Sequence, residues 1–468
     1  MANGSPDRAP SSGPRSSGPR SSGLFSGLLL VSLGLLMLLW RYEHIRLGDI
    51  LRHWWPLIFI VWGLVKFYER MNARQQGQPS GWITPGEIFL VVGIFCLVGV
   101  VVIVDLIKDK VDGRGGFGAI SRNWGNDYPF DLDTQSQPVP PNSKVQIEIP
   151  RGDITVHTAD EPLIVVNGKK KVKSWNEEAA QRLADSAKLE VVKDGDSYVV
   201  RPAGAAADER NFSFDLDLAV PKKAGMDIKN TFGDIHLSDV ANNVNVSVRK
   251  GDIEVSDTGG NVNVDTQGGD TTISDTKGDV KITGKGGEVS VTNASGGLTL
   301  NGEFYGPIRA EKISKGVRFI SRRTDFTLTQ LTGHMAIESG NFEIVDAPGN
   351  MTLRTSSADI NIENPGGKVN LDNRNGNIQV RYSTVPKDDI QINNSSSEIT
   401  LNLPSGTSFE IQADCHSCDI DSDFSSSSLN KTSTKNGDTH LEGKYGSGRP
   451  IKIILRTSYG SIAIRKTS

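Results

Sequence analysis

From residue 233 onward the chain repeats every nine residues, and this repeat limits the fold more than any other feature. One apolar series reads Ile, Val, Ile, Val, Thr, Val, Val and Leu at positions 235, 244, 253, 262, 271, 280, 289 and 298. A second apolar series follows two residues later, from Leu237 to Leu300. Glycine stands two residues before the first series in seven of the eight repeats, and Asn242 is the exception.

Apolar residues two positions apart place both side chains on one face of a β-strand. Glycine, and next to it asparagine, allows a backbone corner with positive φ just before each strand. One repeat therefore predicts one strand and one corner. The 50 glycines among 468 residues fit this requirement for corners.

A longer period lies on top of the short one. Ser238-Asp239, Ser256-Asp257 and Ser274-Asp275 recur at 18 residues, and Thr292-Asn293 continues the series. Two unlike strands per repeat predict a flattened parallel β-solenoid of about 18 residues per coil and two strands per coil. A coil of three strands would not explain the alternation. The step continues with slips to Ile399, which gives about nine coils over residues 233–401.

The ends of a solenoid must be covered, because open sheet edges pair with other chains. Residues 126–232 are predicted as N-terminal β coils and a cap, with a helix at about 175–188 that begins in the capping-box text Ser174-Trp175-Asn176-Glu177. Residues 233–468 are predicted as the regular β-solenoid with C-terminal closing coils. The last apolar strands, 451–455 and 461–464, are expected to form the closing coil.

The first quarter of the chain has a different composition. Residues 1–22 lack core-forming side chains and predict a disordered tail. Residues 23–108 predict a transmembrane anchor with helices at about 24–40, 54–70 and 86–107, followed by a linker at 109–125. The second apolar segment is short, so an interfacial helix is the alternative to a full span. Six against seven flanking cationic residues leave the membrane orientation open.

Two families resemble this chain. Residues 24–68 resemble the LiaI-LiaF-like transmembrane region of bacterial envelope-stress proteins, through the text at 27–31 (GLLLV), 47–49 (LGD) and 55–58 (WPLI). Residues 126–468 resemble the bacterial putative-adhesin family of β-strand repeats, a domain of unknown function. That resemblance rests on 152–156 (GDITV), 220–225 (VPKKAG), the Gly-Asp-Ile series and 456–462 (RTSYGSI). It implies a β-helix in the cell envelope with no established reaction.

The sequence gives no catalytic, cofactor-binding or metal-binding residues. Outward acids at 234, 252, 270, 279 and 288 stand where aspartate suits a Gly-Asp corner, so a structural role explains them. The seven histidines are scattered and form no His-Glu-x-x-His motif. The glycine-rich repeats also lack the pattern of calcium-binding nonapeptides. We therefore expect no enzyme and no cofactor.

Two groups of residues are candidates for a more specific role. Cys415 and Cys418 are predicted to form a structural thiol pair or a local disulfide, with a redox or metal role as the alternative. Six cationic residues are predicted to form a stripe for an anionic ligand, or else a solvated edge that prevents aggregation: Arg309, Lys312, Lys315, Arg318, Arg322 and Arg323.

The sequence thus predicts a membrane-anchored, non-enzymatic β-solenoid displayed in the bacterial envelope for adhesion, scaffolding or envelope-stress signalling. Two alternatives are an envelope glycan-binding or glycan-processing β-helix protein and a cytoplasmic, membrane-tethered scaffold. The expected location is the bacterial cytoplasmic membrane, multi-pass, with the solenoid outside. Expected partners are the lipid bilayer and either envelope polymers or a membrane signalling protein. The net charge of 51 − 55 = −4 argues against nucleic acid as a binding partner.

Overall fold

A computed structural model describes residues 126–204, 206 and 211–467, and this part of the chain is all-β with one helix. The predicted tail, membrane helices and linker lie outside the described residues. No helix within the described residues combines the length and the apolar character needed to cross a bilayer.

The secondary-structure elements follow one another with short connections. The N-terminal part contains β1 (Asn126–Asp131), β2 (Gln135–Pro138), β3 (Lys144–Arg151), β4 (Ile154–Ala159), β5 (Leu163–Ser174), α1 (Glu177–Ser186), β6 (Ala187–Asp194), β7 (Ser197–Gly204), β8 (Phe212–Pro221) and β9 (Gly225–Phe232). The regular part contains β10 (Ile235–Ser238), β11 (Val244–Lys250), β12 (Ile253–Ser256), β13 (Val262–Thr266), β14 (Thr271–Thr276), β15 (Val280–Gly286), β16 (Val289–Ala294) and β17 (Leu298–Phe304).

The remaining strands complete the stack. They are β18 (Ile308–Ile313), β19 (Val317–Ile320), β20 (Thr324–Leu328), β21 (Leu331–Glu338), β22 (Asn341–Val345), β23 (Met351–Thr355), β24 (Ile360–Glu363), β25 (Val369–Asn373) and β26 (Ile378–Arg381). The C-terminal end contains β27 (Ile390–Ser396), β28 (Ile399–Pro404), β29 (Phe409–Cys415), β30 (Ile420–Ser422), β31 (Leu429–Ser433), β32 (Thr439–Tyr445), β33 (Ile451–Tyr459) and β34 (Ile462–Thr467).

The strands form two sheets that alternate along the chain. In the first sheet β1 and β2 pair with β5, and the order continues β5-β8-β4-β10-β12-β14-β16-β18-β21-β22-β24-β26-β28-β34-β30. The second sheet has the order β6-β7-β3-β9-β11-β13-β15-β17-β19-β20-β23-β25-β27-β33-β29-β32-β31. Their inner faces enclose one continuous apolar core.

The inward positions are the two apolar series of the sequence. Ile235 lies beside Ile253 in parallel register, and Val244 lies beside Val262 in the other sheet. All four side chains are buried. Because each strand carries its inward residues two apart, similar side chains, mostly valine and isoleucine, stack from one strand to the next.

The corner carboxylates form a ladder of side-chain to backbone hydrogen bonds. The N–H of Asp252 donates to Oδ1 of Asp234 at 2.8 Å, and the N–H of Asp270 donates to Oδ1 of Asp252 at 2.8 Å, in both cases 18 residues apart. At the other corner, the N–H groups of Asn261 and Asp279 donate to the side chains 18 residues before them. These outward acids therefore satisfy backbone donors, which gives them a structural role.

One stretch departs from the expected parallel arrangement. β19 and β20 pair antiparallel, as do β18 with β21 and β21 with β22, so β20 and β21 form one coil that the chain traverses in reverse. The prediction of a wholly parallel solenoid was wrong here. An alternating apolar pattern is the same in both strand directions, and Phe326 and Met335 still face the core. The return turn at Ser339 and Gly340 has φ of 50° and 83°, as a tight hairpin requires.

The C-terminal end also differs from the prediction. β33 lies between β27 and β29, and β34 lies between β28 and β30. The strands predicted to close the rod are therefore inserted one coil before its end. The final coil is formed by β29 and β30, and the hairpin of β31 and β32 extends the second sheet beyond it.

Both ends of the core are covered. At the N-terminal end α1 packs on β5 and β6 through the buried residues Ala180 and Ala184. Asn176 caps this helix by accepting a hydrogen bond from the Ala179 N–H at 2.8 Å, whereas Ser174 belongs to β5 and is not the cap. At the other end Phe409, Phe424 and Tyr445 pack with ring centroids 4.9–5.4 Å apart.

Candidate functional site: a groove on the second sheet

The six predicted cationic residues do not share one face. Arg309 lies on β18 in the first sheet and Arg318 lies on β19 in the second. Four of the six have acidic partners: Arg309 pairs with Glu288 and with Glu338 at 2.7 Å, Lys312 with Glu311, Lys315 with Asp279 and Arg322 with Glu303. Within the described part of the chain Arg318 and Arg323 make no ion pair. Much of the cationic charge is therefore neutralised locally, and the anionic-ligand stripe stays a prediction.

Cys415 and Cys418 are joined as a disulfide at the end of β29, with their Cα atoms 5.4 Å apart. Cys415 is buried, and between the two cysteines Ser417 adopts a positive φ of 57°. The pair thus closes the corner that leads into β30. No group of three or more His, Cys, Asp or Glu residues in the described part is arranged to hold a metal ion.

A charged cluster lies beside this disulfide on the outer face of the second sheet. His440 on β32 hydrogen-bonds through Nδ1 to Asp414 on β29, and through Nε2 to Glu442 at 3.2 Å. Arg456 on β33 lies 3.5 Å from the Asp414 carboxylate. The hydrogen bonds to Glu442 and Asp414 raise the pKa of His440 above its usual value. The cluster ties together three strands of the C-terminal end.

A groove lies on the outer face of the second sheet, near the N-terminal end of the stack. We call it the hairpin groove, because the hairpin of β6 and β7 forms one wall and β3, β9, β11 and β13 form the floor. Its volume is about 910 Å³. The wall includes Pro202 and Ala203 on β7, and Pro150 borders the floor. This hairpin is an addition to the regular coils, and such additions often carry function in repeat proteins.

The floor presents one row of side chains that crosses four strands. Glu148, Lys229, Ser247 and Asp265 lie directly beside one another in the strand register. Two exposed residues extend the lining. Arg249 lies on β11 two residues after Ser247, and Gln267 directly follows β13, two residues after Asp265. The floor is therefore a polar surface made by successive strands, with hydroxyl, amide and charged groups side by side.

The charges of the groove are mostly paired with one another. Lys229 Nζ donates to Glu148 at 2.9 Å, and Arg201 Nε donates to Glu190 at 2.8 Å. The hydrogen bond from Lys229 lowers the pKa of Glu148. A general acid in glycoside hydrolysis needs a raised carboxyl pKa, so this environment is the opposite of what that chemistry requires. Glu148 is therefore poorly suited to act as such an acid.

The groove residues were not among the candidates predicted from the sequence. Their individual positions look like ordinary outward residues of strands, and only the break in the nine-residue pattern before residue 233 marks the inserted hairpin. The cavity depends on how that hairpin folds over the sheet. A search for the interruption of the repeat, rather than for motifs, would have directed attention to this region.

Comparison with known families now places the chain. A family model described as Toastrack DUF4097 matches residues 142–465, which is more than half of the chain. The chain belongs to the Toastrack family. A second model, the LiaF transmembrane domain, matches residues 25–110. Both family resemblances drawn from the sequence are thereby confirmed, and a Toastrack domain is a β-solenoid-like fold.

Three solved structures similar to this Toastrack chain come from bacteria. A putative cell adhesion protein from Clostridium sporogenes is 9% identical, with coverage of 72% of this chain and 99% of that one and a TM-score of 0.16. A putative lipid binding protein from Parabacteroides distasonis is 12% identical, with coverage of 74% and 98% and a TM-score of 0.26. A putative adhesin from Bacteroides fragilis is 10% identical, with coverage of 72% and 97% and a TM-score of 0.22. No curated protein matches the chain.

Proposed function

We propose that this protein is a membrane-anchored, non-enzymatic β-solenoid on the outer side of the bacterial cytoplasmic membrane. It presents a rigid surface for adhesion, scaffolding or envelope-stress signalling. The observation that carries the proposal is the combination in one chain of a LiaF transmembrane match at residues 25–110 and a solenoid whose two ends are covered. Because the apolar core is covered at both ends, we expect partners to bind the side faces of the rod.

The proposed domain organisation is that of the sequence: a tail at 1–22, an anchor with three helices at 23–108, a linker at 109–125, N-terminal coils and cap at 126–232, and the repeat region at 233–468. Coils of about 18 residues with two strands each are part of the proposal. The 18-residue spacing of the corner hydrogen bonds supports this coil size.

The disulfide supports the outer location. Disulfides persist in oxidising compartments and are rare in the cytosol, where thiols are kept reduced. Cys415 and Cys418 are bonded, and the remaining cysteine, Cys96, falls in a predicted membrane helix. This argues against the cytoplasmic scaffold, which remains the alternative that a topology experiment must exclude.

Labelling with a membrane-impermeant maleimide tests the orientation. A Cys96→Ala chain carries one new cysteine, either Tyr305→Cys on the solenoid or Ser12→Cys in the tail. Tyr305 is 80% exposed, so its substitution leaves the core intact. We expect Tyr305→Cys to be labelled in intact spheroplasts and Ser12→Cys only after lysis. Protection of Tyr305→Cys until lysis would favour the cytoplasmic scaffold and overturn the proposal.

A further inference from the structure

The hairpin groove has the properties of a site for an extended polar ligand. Its floor crosses β3, β9, β11 and β13, so a ligand along the groove runs parallel to the long axis of the stack and meets a new side chain at each strand, about every 4.8 Å. A ligand with a repeating unit can make the same kind of contact several times on such a floor. The row of Glu148, Lys229, Ser247 and Asp265 supplies these contacts.

The electrostatics exclude a strongly charged polymer. The lining has three acids, Glu148, Glu190 and Asp265, and three cations, Arg201, Lys229 and Arg249, so its formal charge is zero. Four of these six groups are already paired with one another. A polyanion or a polycation would have to break these pairs, whereas a neutral ligand can hydrogen-bond to them as they stand.

The backbone of the groove offers little edge to an added peptide strand. A peptide that extends a sheet needs an edge with free N–H and C=O groups. β9 and β11 are paired on both sides, and β3 is paired with β7 only over 144–147. The free edge that β3 offers in the groove is therefore short, 148–151, and it contains Pro150, which has no N–H to donate. The apolar part of the lining, Pro150, Pro202 and Ala203, is small and flat rather than a deep pocket for a large side chain.

We propose that the hairpin groove binds a neutral, hydroxyl-rich polymer, namely a glycan strand that lies along the axis of the solenoid. Pro150 and Ala203 face the C–H surfaces of the sugar rings, and Ser247, Gln267 and the paired charges exchange hydrogen bonds with the hydroxyl groups. Glu148, held ionised by Lys229, binds the glycan without cleaving it. This inference rests on the proposed envelope location and adds a ligand class to the proposed function.

The test uses the full chain in detergent micelles and saturation-transfer NMR titrations. The probes are chitotetraose, cellotetraose and maltotetraose, with poly-glutamate, poly-lysine and an uncharged Gly/Ser peptide as competitors of other chemistry. We expect saturable binding of at least one oligosaccharide. Ser247→Trp, which fills the groove, should weaken it by about tenfold or more, and Gln267→Ala should weaken it by about threefold. Circular dichroism checks that each variant is folded.

Asn301→Trp is the matched control. Asn301 is exposed in the outward row that contains Ser247, but it lies on β17 outside the groove. This variant should keep the affinity within about twofold. If Ser247→Trp fails to fold, Gln267→Ala and Arg249→Ala carry the test.

Three results would overturn the inference: no binding of any of the oligosaccharides, equal binding by the groove variants and the control, or a groove-dependent preference for the peptide or a charged polymer. The maleimide experiment separates this inference from the proposed function. An outward solenoid that binds no glycan overturns the inference alone. A cytoplasmic solenoid overturns the proposed function, whatever the purified chain binds.

Discussion

Two regions of the solenoid use the same kind of coil but differ in how the order of their strands in space relates to the order in the sequence. In the regular run, residues 233–304, the order of strands in space is the order in the sequence, and each coil contacts the one 18 residues away. In the C-terminal end, residues 390–467, Ile453 of β33 lies between Ile390 of β27 and Ile411 of β29. The Lys452 N–H donates to Asp389 across 63 residues.

This difference separates a modular region from one that depends on a single segment. In the regular run each coil needs only its neighbours, so stability adds up coil by coil. In the C-terminal end, β29 and β30 are hydrogen-bonded to the earlier coils only through β33 and β34, the last strands described. The strand pairs there join residues that are far apart in the sequence. Their formation therefore costs more loop-closure entropy, and we expect this end to fold late.

The largest expected effect comes from a stop codon after Gly448, which removes β33 and β34. Ile453, Leu455, Ile462 and Ile464 are fully buried, and at about 2 kcal/mol each their loss costs roughly 8 kcal/mol. That is as much as the whole stability of many domains. We expect β29 to β32 to lose hydrogen-exchange protection completely, while the regular run keeps its protection.

The matched control removes a similar length from the regular run. Deletion of residues 251–268 takes out one coil and joins Lys250 to Gly269, which restores the corner sequence Lys-Gly-Asp at the junction. We expect this chain to fold with exchange protection close to that of the full chain. Loss of the regular run on coil deletion, or survival of β29 to β32 after truncation, would contradict the comparison.

A tightly packed corner glycine of the regular run can be compared with an open loop glycine of the C-terminal end. Gly269 in the regular run has φ of 107°, and an added Cβ would lie 2.0 Å from the carbonyl oxygen of Gly251 on the previous coil. Gly269→Ala should therefore cost about 3 kcal/mol of local unfolding free energy, measured by hydrogen exchange. Gly406, between β28 and β29, has no atom within 4 Å of its added Cβ, so Gly406→Ala is the control. Equal costs at both positions would show that close approach of the coils is not what selects glycine.

The regular run was the part that the sequence could predict. Its inward residues, such as Val255 and Val264, are fixed by a period that strand geometry imposes, and the corner glycines are fixed by backbone sterics. Strand direction is not encoded in that period, so the pattern predicts a parallel coil where β20 and β21 run in reverse. Ser339-Gly340 was the available signal, because a two-residue turn with positive φ joins antiparallel strands.

The insertion of β33 and the hairpin groove could not be predicted for a related reason. The strand Ile451–Tyr459 has the same alternation as any other strand, so its partners depend on which edges are free once the preceding coils have formed. The groove depends on where β6 and β7 fold relative to the sheet. Local patterns determine which residues face inward, but long-range pairing determines which surfaces come together.

The corner ladder of the regular run gives a smaller effect. Asp252 Oδ1 accepts the Asp270 N–H, and Asp252→Ala should cost about 1 kcal/mol because this donor loses its partner. Asp252→Asn keeps an oxygen acceptor and should restore most of the loss. Hydrogen exchange at β12 and β14 measures both. If the Asn variant is as unstable as the Ala variant, the charge rather than the hydrogen bond stabilises the corner.

The smallest expected effect is a pH dependence confined to the C-terminal end. Hydrogen bonds to Glu442 and Asp414 raise the pKa of His440 above the usual value of about 6.5. The stabilisation that protonated His440 gives to the C-terminal end is therefore complete below about pH 6.5. It is lost as the pH rises through the higher pKa of the folded state. Solvent exposure of the cluster keeps the effect below about 1 kcal/mol.

Hydrogen exchange of residues 429–445, corrected for the intrinsic pH dependence, should show stronger protection in mildly acidic than in mildly alkaline buffer. Arg456 faces the same carboxylate of Asp414 and stays charged throughout, so the change belongs to the imidazole. His440→Gln should abolish it. His236→Gln, which removes the partner of Glu254 in the regular run, should leave it unchanged. A pH dependence that survives His440→Gln would place the titrating group elsewhere and remove this distinction between the two regions.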